Sequence, residues 1–542
     1  MTAQDTTPAK ASSFAPLRQP VFAVLWAATI LGNTGTFMRD VASSWIVTDL
    51  SASPTAVAMI QAAGMLPVFL LALPAGVLSD ILDRRRFLIG IQIFLGCVSG
   101  LLMTLAWFKL LTVSALVTLT FLGGVGAALM APTWQSIVPE LVEKRDLRNA
   151  VALNSLGINI ARSIGPALGG LILAGLGAAA TYGADVASYL IVITALLWWK
   201  RPAQINDELS EHFAGAFRAG LRYVRSSHDL HIVLLRAAIF FAFASAVWAL
   251  LPFVAKGLNG GPGFYGLLLG AVGAGAIGGA LVMPALREKL GADGLVLTAS
   301  IVTALVMAAL TLPIPKFAAG LLMLLLGAAW ITVLTTFNGV AQAILPNWVR
   351  GRALAVYLMV FNGAMAGGSL AWGSFASATS TMIALLVCAA GLLVAAFIMH
   401  RVPLPAGEAD LAPSSHWPEP LTASAVEHDR GPVLILIEYR IAVADRSKFL
   451  DSLSRLSDAR RRDGAYAWGI TEDSADPEKI VEWFMVESWG EHLRQHRRVS
   501  KAAADIQQEL LRCHIGPEPP VVRHFLALEA RPMGAGMEPP PV

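Results

Sequence analysis

Twelve apolar stretches, each long enough to cross a membrane as a helix, occupy the chain between Phe22 and His400. An α-helix rises about 1.5 Å per residue, so it needs about 20 mainly apolar residues to cross the roughly 30 Å hydrocarbon core of a bilayer. The composition agrees, because 14% of the residues are charged, against about 25% in a typical water-soluble domain. Twelve spans are too many for a simple anchor, so the chain is predicted to be a transporter in the lipid bilayer.

The predicted spans fall into two groups of six. We place them at 21–48, 55–79, 87–107, 111–131, 150–175, 181–199, 231–255, 263–286, 294–312, 317–341, 353–378 and 381–400. The pattern Gln-x-x-x-Pro begins at Gln135 and again at Gln342, each time where the fourth span of a group ends. This repetition indicates two pseudo-symmetric halves.

Basic residues are unevenly distributed between the connecting loops. If the N-terminus is cytoplasmic, the outer loops contain only Lys109, Lys256 and Lys316, and the inner loops contain all the other loop arginines and lysines. The positive-inside rule therefore predicts a multi-pass protein of a bacterial-type inner membrane with both termini in the cytoplasm. The net charge of +3 is too small to indicate nucleic-acid binding.

The loop between the second and third spans combines a glycine, two aspartates and three arginines. They are Gly76, Asp80, Asp83, Arg84, Arg85 and Arg86. The arrangement resembles the loop signature of the major facilitator superfamily, in which Gly-x-x-x-Asp precedes a basic cluster. That resemblance implies a gating loop with Asp80 as its latch, although Ile81 replaces the usual basic residue after the aspartate. A loop that only sets the topology is the alternative.

The fifth span contains Gly165, Pro166, Gly169 and Gly170, which look like the Gly-Pro-x-x-Gly-Gly motif of exporters in this superfamily. Proline removes a backbone donor, and glycines allow close helix packing, so the segment is predicted to be bendable and tightly packed. The motif favours export over import. Helix packing without a role in the direction of transport is the alternative.

Three further segments, 132–141, 149–155 and 348–353, resemble the enterobactin-exporter-like branch, also called transmembrane secretion effectors. The resemblance covers about residues 15–400. It implies an all-α major facilitator fold of twelve helices in two six-helix halves, with alternating access and secondary transport of small molecules. No phosphate-binding Gly-x-x-x-x-Gly-Lys-Ser/Thr loop is present, so we expect no cofactor and a proton or other ion gradient as the energy source.

Ionisable residues inside apolar spans are costly, and each is therefore a functional hypothesis. Asp40 is our leading proton-coupling candidate and Asp185 the second, with Arg162 as their counter-charge or as a contact to an anionic substrate. Structural pairing, or a position of Arg39 and Asp40 near the outer interface, is the alternative. Polar candidates for the substrate cavity are Asn33, Gln61, Asn159, Asn338 and Asn362.

Beyond the last span the sequence becomes that of a water-soluble domain. Strand and helix patterns follow the order βαββαβ, which is a ferredoxin-like α+β arrangement. With Trp489, His492 and His496, this region resembles the dimeric α/β-barrel domains of the antibiotic-biosynthesis monooxygenase type. The resemblance implies homodimerisation. We favour a dimerisation or regulatory role over a catalytic one, and we predict no metal site.

The predicted division of the chain follows from these patterns. Its parts are a cytoplasmic N-terminal segment (1–20), the first half (21–199), a loop with an amphipathic helix (200–230), the second half (231–400), a linker (401–430), the ferredoxin-like domain (431–530) and a disordered tail (531–542). The predicted function is proton-coupled export of a small molecule such as a siderophore or antibiotic, without enzymatic activity. Import by the same fold, or a transporter fused to a catalytic domain, is the alternative.

Overall fold

The computed structural model describes residues 14–200, 221–346, 348–407, 414, 417, 422 and 426–528. Most of the predicted N-terminal segment and amphipathic loop, half of the predicted linker, and the whole predicted tail 531–542 lie outside the described residues. Of Asp80 the structure describes the backbone but not the side chain.

Long helices make up most of the described residues as far as residue 400. They are α1 Pro20–Leu50, α2 Pro54–Ile81, α3 Arg84–Trp107, α4 Val113–Ile137, α5 Leu147–Leu176, α6 Ala178–Trp198, α7 His228–Gly257, α8 Pro262–Ala309, α9 Lys316–Ala343, α10 Arg350–Ala378 and α11 Thr381–His400. Local sequence explains several of the starts, since proline occupies the first turn of α1, α2 and α8, where no backbone donor is needed. The side chains of Thr112 and Ser380 cap α4 and α11.

Within the described residues, 11 helices are long and apolar enough to cross a membrane. One of them, α8, is 48 residues long and is interrupted at Gly291, whose φ of 64° and ψ of −176° are not helical. Glycine adopts a positive φ without the steric penalty that a side chain would impose. This residue divides α8 into two helical parts, which correspond to the spans predicted at 263–286 and 294–312.

The two halves of the helical region meet most closely where α5 packs against α8. A Cβ atom added at Gly170 would lie 2.8 Å from the Cα of Gly266 and 2.6 Å from the carbonyl oxygen of Pro262. Such a separation is possible only because neither glycine has a side chain, which is the packing expected of small-residue motifs in membrane helices.

Polar contacts close one end of the helical region. The Nζ of Lys256, near the end of α7, lies 2.7 Å from the Oδ1 of Asp49, near the end of α1. At the same end, the hydroxyls of Thr55 on α2 and Ser377 on α10 are 2.8 Å apart. The described residues therefore connect the two halves at the end where α1 and α7 finish.

The C-terminal region contains a four-stranded antiparallel sheet. Its strands are β1 Val433–Arg440, β2 Ala467–Glu472, β3 Lys479–Val486 and β4 Val521–Leu526, and its helices are α12 Arg446–Asp463, α13 Trp489–Arg498 and α14 Lys501–Leu511. The strand order in the sheet is β2-β3-β1-β4. Residues on one face of β1, including Val433 and Ile435, are buried against Phe449 and Leu453 of α12, as period-2 alternation requires.

The chain divides into two compact units. The membrane unit comprises residues 1–209, 232–341 and 354–405, and the tail unit comprises 210–231, 342–353 and 406–542. The tail unit thus combines the C-terminal sheet with two segments that adjoin α7 and α10 in the sequence.

Candidate transport site

A cavity of about 280 Å³ lies among the first six helices of the membrane unit. Its lining includes Asn33, Thr36, Gln92, Gln135, Asn154 and Tyr189. Gln135 and Asn154 belong to the segments that carry the family resemblance. A mostly apolar wall with a few polar groups is the usual construction of a small-molecule site.

A buried charged cluster contacts this cavity. Arg39 on α1 is 5% exposed and Asp185 on α6 is fully buried, and the Nη1 of Arg39 lies 3.8 Å from the Oδ2 of Asp185. The hydroxyl of Ser99 on α3 donates to the same carboxylate oxygen at 2.6 Å. Asp40 is the second carboxylate, with its Oδ1 3.1 Å from the Nη2 of Arg39. One guanidinium therefore serves two carboxylates.

Tyr189 connects the charged cluster to the cavity. Its hydroxyl accepts a hydrogen bond from the Nη1 of Arg39 at 3.2 Å and lies 3.1 Å from the hydroxyl of Thr36. Both Thr36 and Tyr189 line the cavity. A molecule that enters the cavity can therefore contact a group bonded directly to Arg39.

Two glycines provide the space for the cluster. A Cβ atom added at Gly35 would lie 2.7 Å from the Oδ1 of Asp185. One added at Gly123 on α4 would lie 3.3 Å from the Nη1 of Arg39. Because real Cβ atoms do not approach so closely without displacement, glycine at both positions allows α1, α4 and α6 to enclose the ion pair.

The predicted coupling residues occupy different environments. The Asp185 side chain has no exposed surface, whereas the side chain of Asp40 is 50% exposed. Arg162, predicted as the counter-charge, has no hydrogen bond or ion pair with any described residue. The guanidinium next to both carboxylates belongs to Arg39, which the sequence analysis did not select. The signal available for it was an arginine adjacent to an aspartate inside an apolar span.

The five polar cavity candidates are spread over the membrane unit. Asn33 lines the cavity described above. Gln61 donates to a serine hydroxyl of α1 at 3.2 Å, and Asn159 and Asn362 each donate to a carbonyl one turn earlier in their own helices. Asn338 lies in α9.

The loop between α2 and α3 is held by specific contacts. The carboxylate of Asp83 accepts from the backbone N–H of Arg86 at 2.8 Å and caps α3. The Nη1 of Arg84 lies 2.7 Å from Glu140, which follows α4, and Arg85 donates to two backbone carbonyls at the end of α6. The loop therefore ties together the ends of α3, α4 and α6 where α2 finishes. Gly76 has open space around its Cα, with nothing within 4 Å of an added Cβ.

The glycines of the motif in α5 face two neighbours. Cβ atoms added at Gly165 and Gly169 would lie 2.7 Å from Phe37 and from the Cα of Met38 on α1. Gly170 faces α8 instead. Pro166 lies inside the helix, between Gly165 and Gly169, and it lacks a backbone donor. The part of α5 that contacts both α1 and α8 is therefore the part with the missing hydrogen bond.

These features define a class of protein. A helical bundle of two connected halves, with a cavity and a buried ion pair inside one half, is the architecture of a major facilitator-type secondary transporter. The fold of a bacterial homologue of the human lysosomal transporter Spinster, crystallised in an inward-facing and unoccupied conformation, matches with a TM-score of 0.58 and 16% identity over 71% of this chain and 97% of that chain.

The chain belongs to the transmembrane secretion effector family, whose model matches residues 11–533. It is 24% identical over 269 residues to the Staphyloferrin A transporter of Staphylococcus aureus, covering 49% of this chain and 67% of that protein. It is 27% identical over 278 residues to the enterobactin exporter EntS of Salmonella choleraesuis, covering 50% of this chain and 64% of that protein. The chain thus spans about two thirds of the length of these relatives.

These comparisons confirm the predicted superfamily and family. The relatives are transporters rather than enzymes, which agrees with the expectation for this chain. The family match also makes the chain an integral membrane protein with multiple spans.

Proposed function

We propose that the chain is a proton-coupled exporter of a small molecule such as a siderophore or antibiotic. The observation that carries the proposal is the buried Arg39–Asp185 pair, because it contacts the cavity through Tyr189. Buried ionisable groups inside membrane helices are costly and are typical of ion and proton pathways. The named relatives are a Staphyloferrin A transporter and an enterobactin exporter, which supports a small-molecule substrate of this class.

The coupling step that we propose is the loss of one of the two carboxylate partners of Arg39. When Asp185 binds a proton, its attraction for the guanidinium is lost, and Arg39 remains paired with Asp40 alone. Arg39 then moves toward Asp40, and its hydrogen bond to Tyr189 transmits this movement to the cavity wall. In this scheme Asp185 carries the proton, and the more exposed Asp40 retains the guanidinium; no bound cofactor takes part.

We propose twelve membrane passes and cytoplasmic termini for the same chain. The break at Gly291 supports the division of α8 into two passes, and the distribution of basic residues supports the orientation. In that orientation the end joined by Lys256 and Asp49 is the outer end. The conformation is then closed to the outside.

We further propose a ferredoxin-like fold and a homodimeric state for the C-terminal domain. The strand order β2-β3-β1-β4 with antiparallel neighbours supports the fold. The sheet face opposite the helices carries Leu434, which lies beside Met485 and Phe525, and Phe525 is 45% exposed. This apolar face supports pairing with a second copy.

Transport into proteoliposomes tests the proposal. With the protein reconstituted in both orientations, a pH gradient should drive movement of a siderophore or macrolide against the direction of proton flow. A protonophore should abolish the movement, and Asp185→Asn should lose the dependence on the gradient. The control Asp146→Asn changes a carboxylate that lies before α5, outside the cluster, and should transport normally.

The alternatives give different results in the same assay. Movement of the solute with the protons would establish import. Chemical conversion of the solute by the purified protein would establish the fused catalytic function. Gradient-driven transport that survives Asp185→Asn would refute the coupling role of this residue while leaving the export function in place.

A further inference from the structure

Three histidines from separate parts of the tail unit come together on one side of its sheet. His492 and His496 lie on α13, and His524 lies on β4. One ring nitrogen from each lies within 4.8 Å of the other two. None of the three takes part in the transport site.

The fold explains why these residues meet. His492 and His496 are four positions apart and therefore share one face of α13. His524 pairs with Ile435 of β1, and Ile435 faces the buried core beneath the helices, so His524 points to the same side. The ring centroids of His492 and His524 are consequently only 4.7 Å apart.

The spacing suits a metal ion. The Nε2 atoms of His492 and His496 are 3.2 Å apart, close to the ~3.3 Å separation that two ligands have in a tetrahedral site with metal–nitrogen bonds of about 2.0–2.1 Å. A hydrogen bond between the two imidazoles also accounts for that distance, but it leaves His524 without a reason to converge. A metal ion accounts for the convergence of all three rings, with side-chain rotations that shorten the spacing of up to 4.8 Å between their ring nitrogens.

Two buried polar side chains of α13 lie beside each other in these surroundings, His492 and Gln495. Neither the Nδ1 of His492 nor the amide of Gln495 forms a hydrogen bond of good geometry with a described residue. Histidines that bind metal usually donate their second ring N–H to an acceptor, and Gln495, three positions along α13, offers an amide oxygen for that role. Trp417 and Trp489, with ring centroids 5.0 and 5.4 Å from His496 and His492, form the walls of the site.

Two arginines near the cluster each have a carboxylate partner. Arg498 is paired with Glu491 at 2.6 Å, and Arg460 is paired with Glu482 at 3.2 Å. Each ion pair therefore reduces the positive charge that its arginine presents to the cluster.

We propose that the tail unit binds one divalent transition-metal ion of the zinc class through His492, His496 and His524, with one coordination position open. Neutral imidazole nitrogens suit zinc, copper, nickel and iron and are poor ligands for magnesium or calcium. The three ligands hold α13 against β4.

The site is connected to the segments that adjoin the membrane helices. The guanidinium of Arg498, at the end of α13, lies 4.2 Å from the ring centroid of Trp348. Glu491, on the same helix, lies 3.7 Å from Arg222, and Arg222 also pairs with Glu487 at 2.7 Å. Metal binding would therefore fix the helix that holds segments 221–226 and 348–353 within the tail unit.

Metal binding by the full-length protein tests the proposal. The purified protein, treated with a chelator and dialysed, is titrated with Zn²⁺ alone, and bound metal is measured by equilibrium dialysis. We expect one ion per chain, a rise in the melting temperature of the tail, and the visible absorption of tetrahedral Co²⁺ when cobalt replaces zinc. Because these readouts do not involve transport, they are independent of the proposed export function.

Variants identify the ligands. His496→Ala and His524→Gln should each weaken Zn²⁺ binding by at least tenfold, and the second change replaces a half-buried imidazole with another polar side chain. The control His428→Gln changes an exposed histidine of the same unit and should bind normally. The proposal would be overturned if the unaltered protein did not bind Zn²⁺ stoichiometrically. It would also be overturned if His524→Gln, with the same melting temperature as the unaltered protein without metal, bound Zn²⁺ fully.

Discussion

The charged cluster makes an asymmetric prediction about its two buried members. Asp185 is fully buried and has Arg39 as its one cationic partner among the described residues, 3.8 Å away. Arg39, in contrast, is paired with both Asp185 and Asp40. Removal of the arginine leaves a buried carboxylate without a counter-charge, whereas removal of Asp185 leaves the arginine paired.

The two substitutions should therefore differ in cost. Removing one partner of a buried ion pair costs about 3–5 kcal/mol, and this range applies to Arg39→Gln. Asp185→Asn keeps the hydrogen bond from Ser99 and leaves Arg39 with Asp40, so we expect about 1–2 kcal/mol, the cost of a lost buried interaction. The double variant should cost less than the sum of the two single variants by about 2 kcal/mol.

The free energy of unfolding of the purified protein, measured by titration with SDS in mixed micelles, tests this asymmetry. Asp40→Asn is the matched control, because its half-exposed side chain should contribute less than about 1 kcal/mol. Equal costs for Arg39→Gln and Asp185→Asn, with simple additivity in the double variant, would refute the assignment of Arg39 as a shared counter-charge.

Two further predictions concern other parts of the molecule. Gly170→Ala places a Cβ 2.8 Å from the Cα of Gly266, so it should separate α5 from α8 and lower the melting temperature. The control Gly175→Ala in the same helix meets nothing within 4 Å and should have little effect. Equal melting temperatures for the two variants would contradict the packing argument. Burial raises the pKa of Asp463 in the tail unit to about 7, so the stability that its protonated form contributes is complete below about pH 4 and is lost as the pH rises to about 7. Asp463→Asn should therefore stabilise the tail at pH 8 and not at pH 4. A stabilisation by Asp463→Asn that is the same at both pH values would contradict this.

The fold was predictable because hydrophobicity determines which segments enter a membrane. Spans such as 87–107 and 181–199 agree with α3 and α6 within a few residues. The family was predictable from short motifs such as the glycines of α5, since close helix approach requires small residues at fixed spacing. The boundary predicted between the eighth and ninth spans, at 286–294, includes Gly291, where the backbone of α8 leaves the helical conformation.

The site was less predictable because it depends on contacts between distant positions. Arg39 and Tyr189 are 150 positions apart, and sequence alone does not show which faces of α1 and α6 meet. The histidine cluster was not predicted from the sequence for the same reason. His524 comes close to the two histidines of α13 only because β4 pairs with β1. Residue type identified costly groups, but the partners of those groups followed from the packing of the helices.

The position of the exporter-type motif links the site to the interface between the halves. Gly165 and Gly169 contact Phe37 and Met38 of α1, the residues that lead directly to Arg39, while Gly170 contacts α8 of the other half. A bend of α5 at Pro166 would therefore move α1 and α8 relative to each other, and it would carry Arg39 with it. Because the guanidinium is held between two carboxylates, the charge state of the cluster and the separation of the halves should change together, which is what alternating access driven by a proton requires.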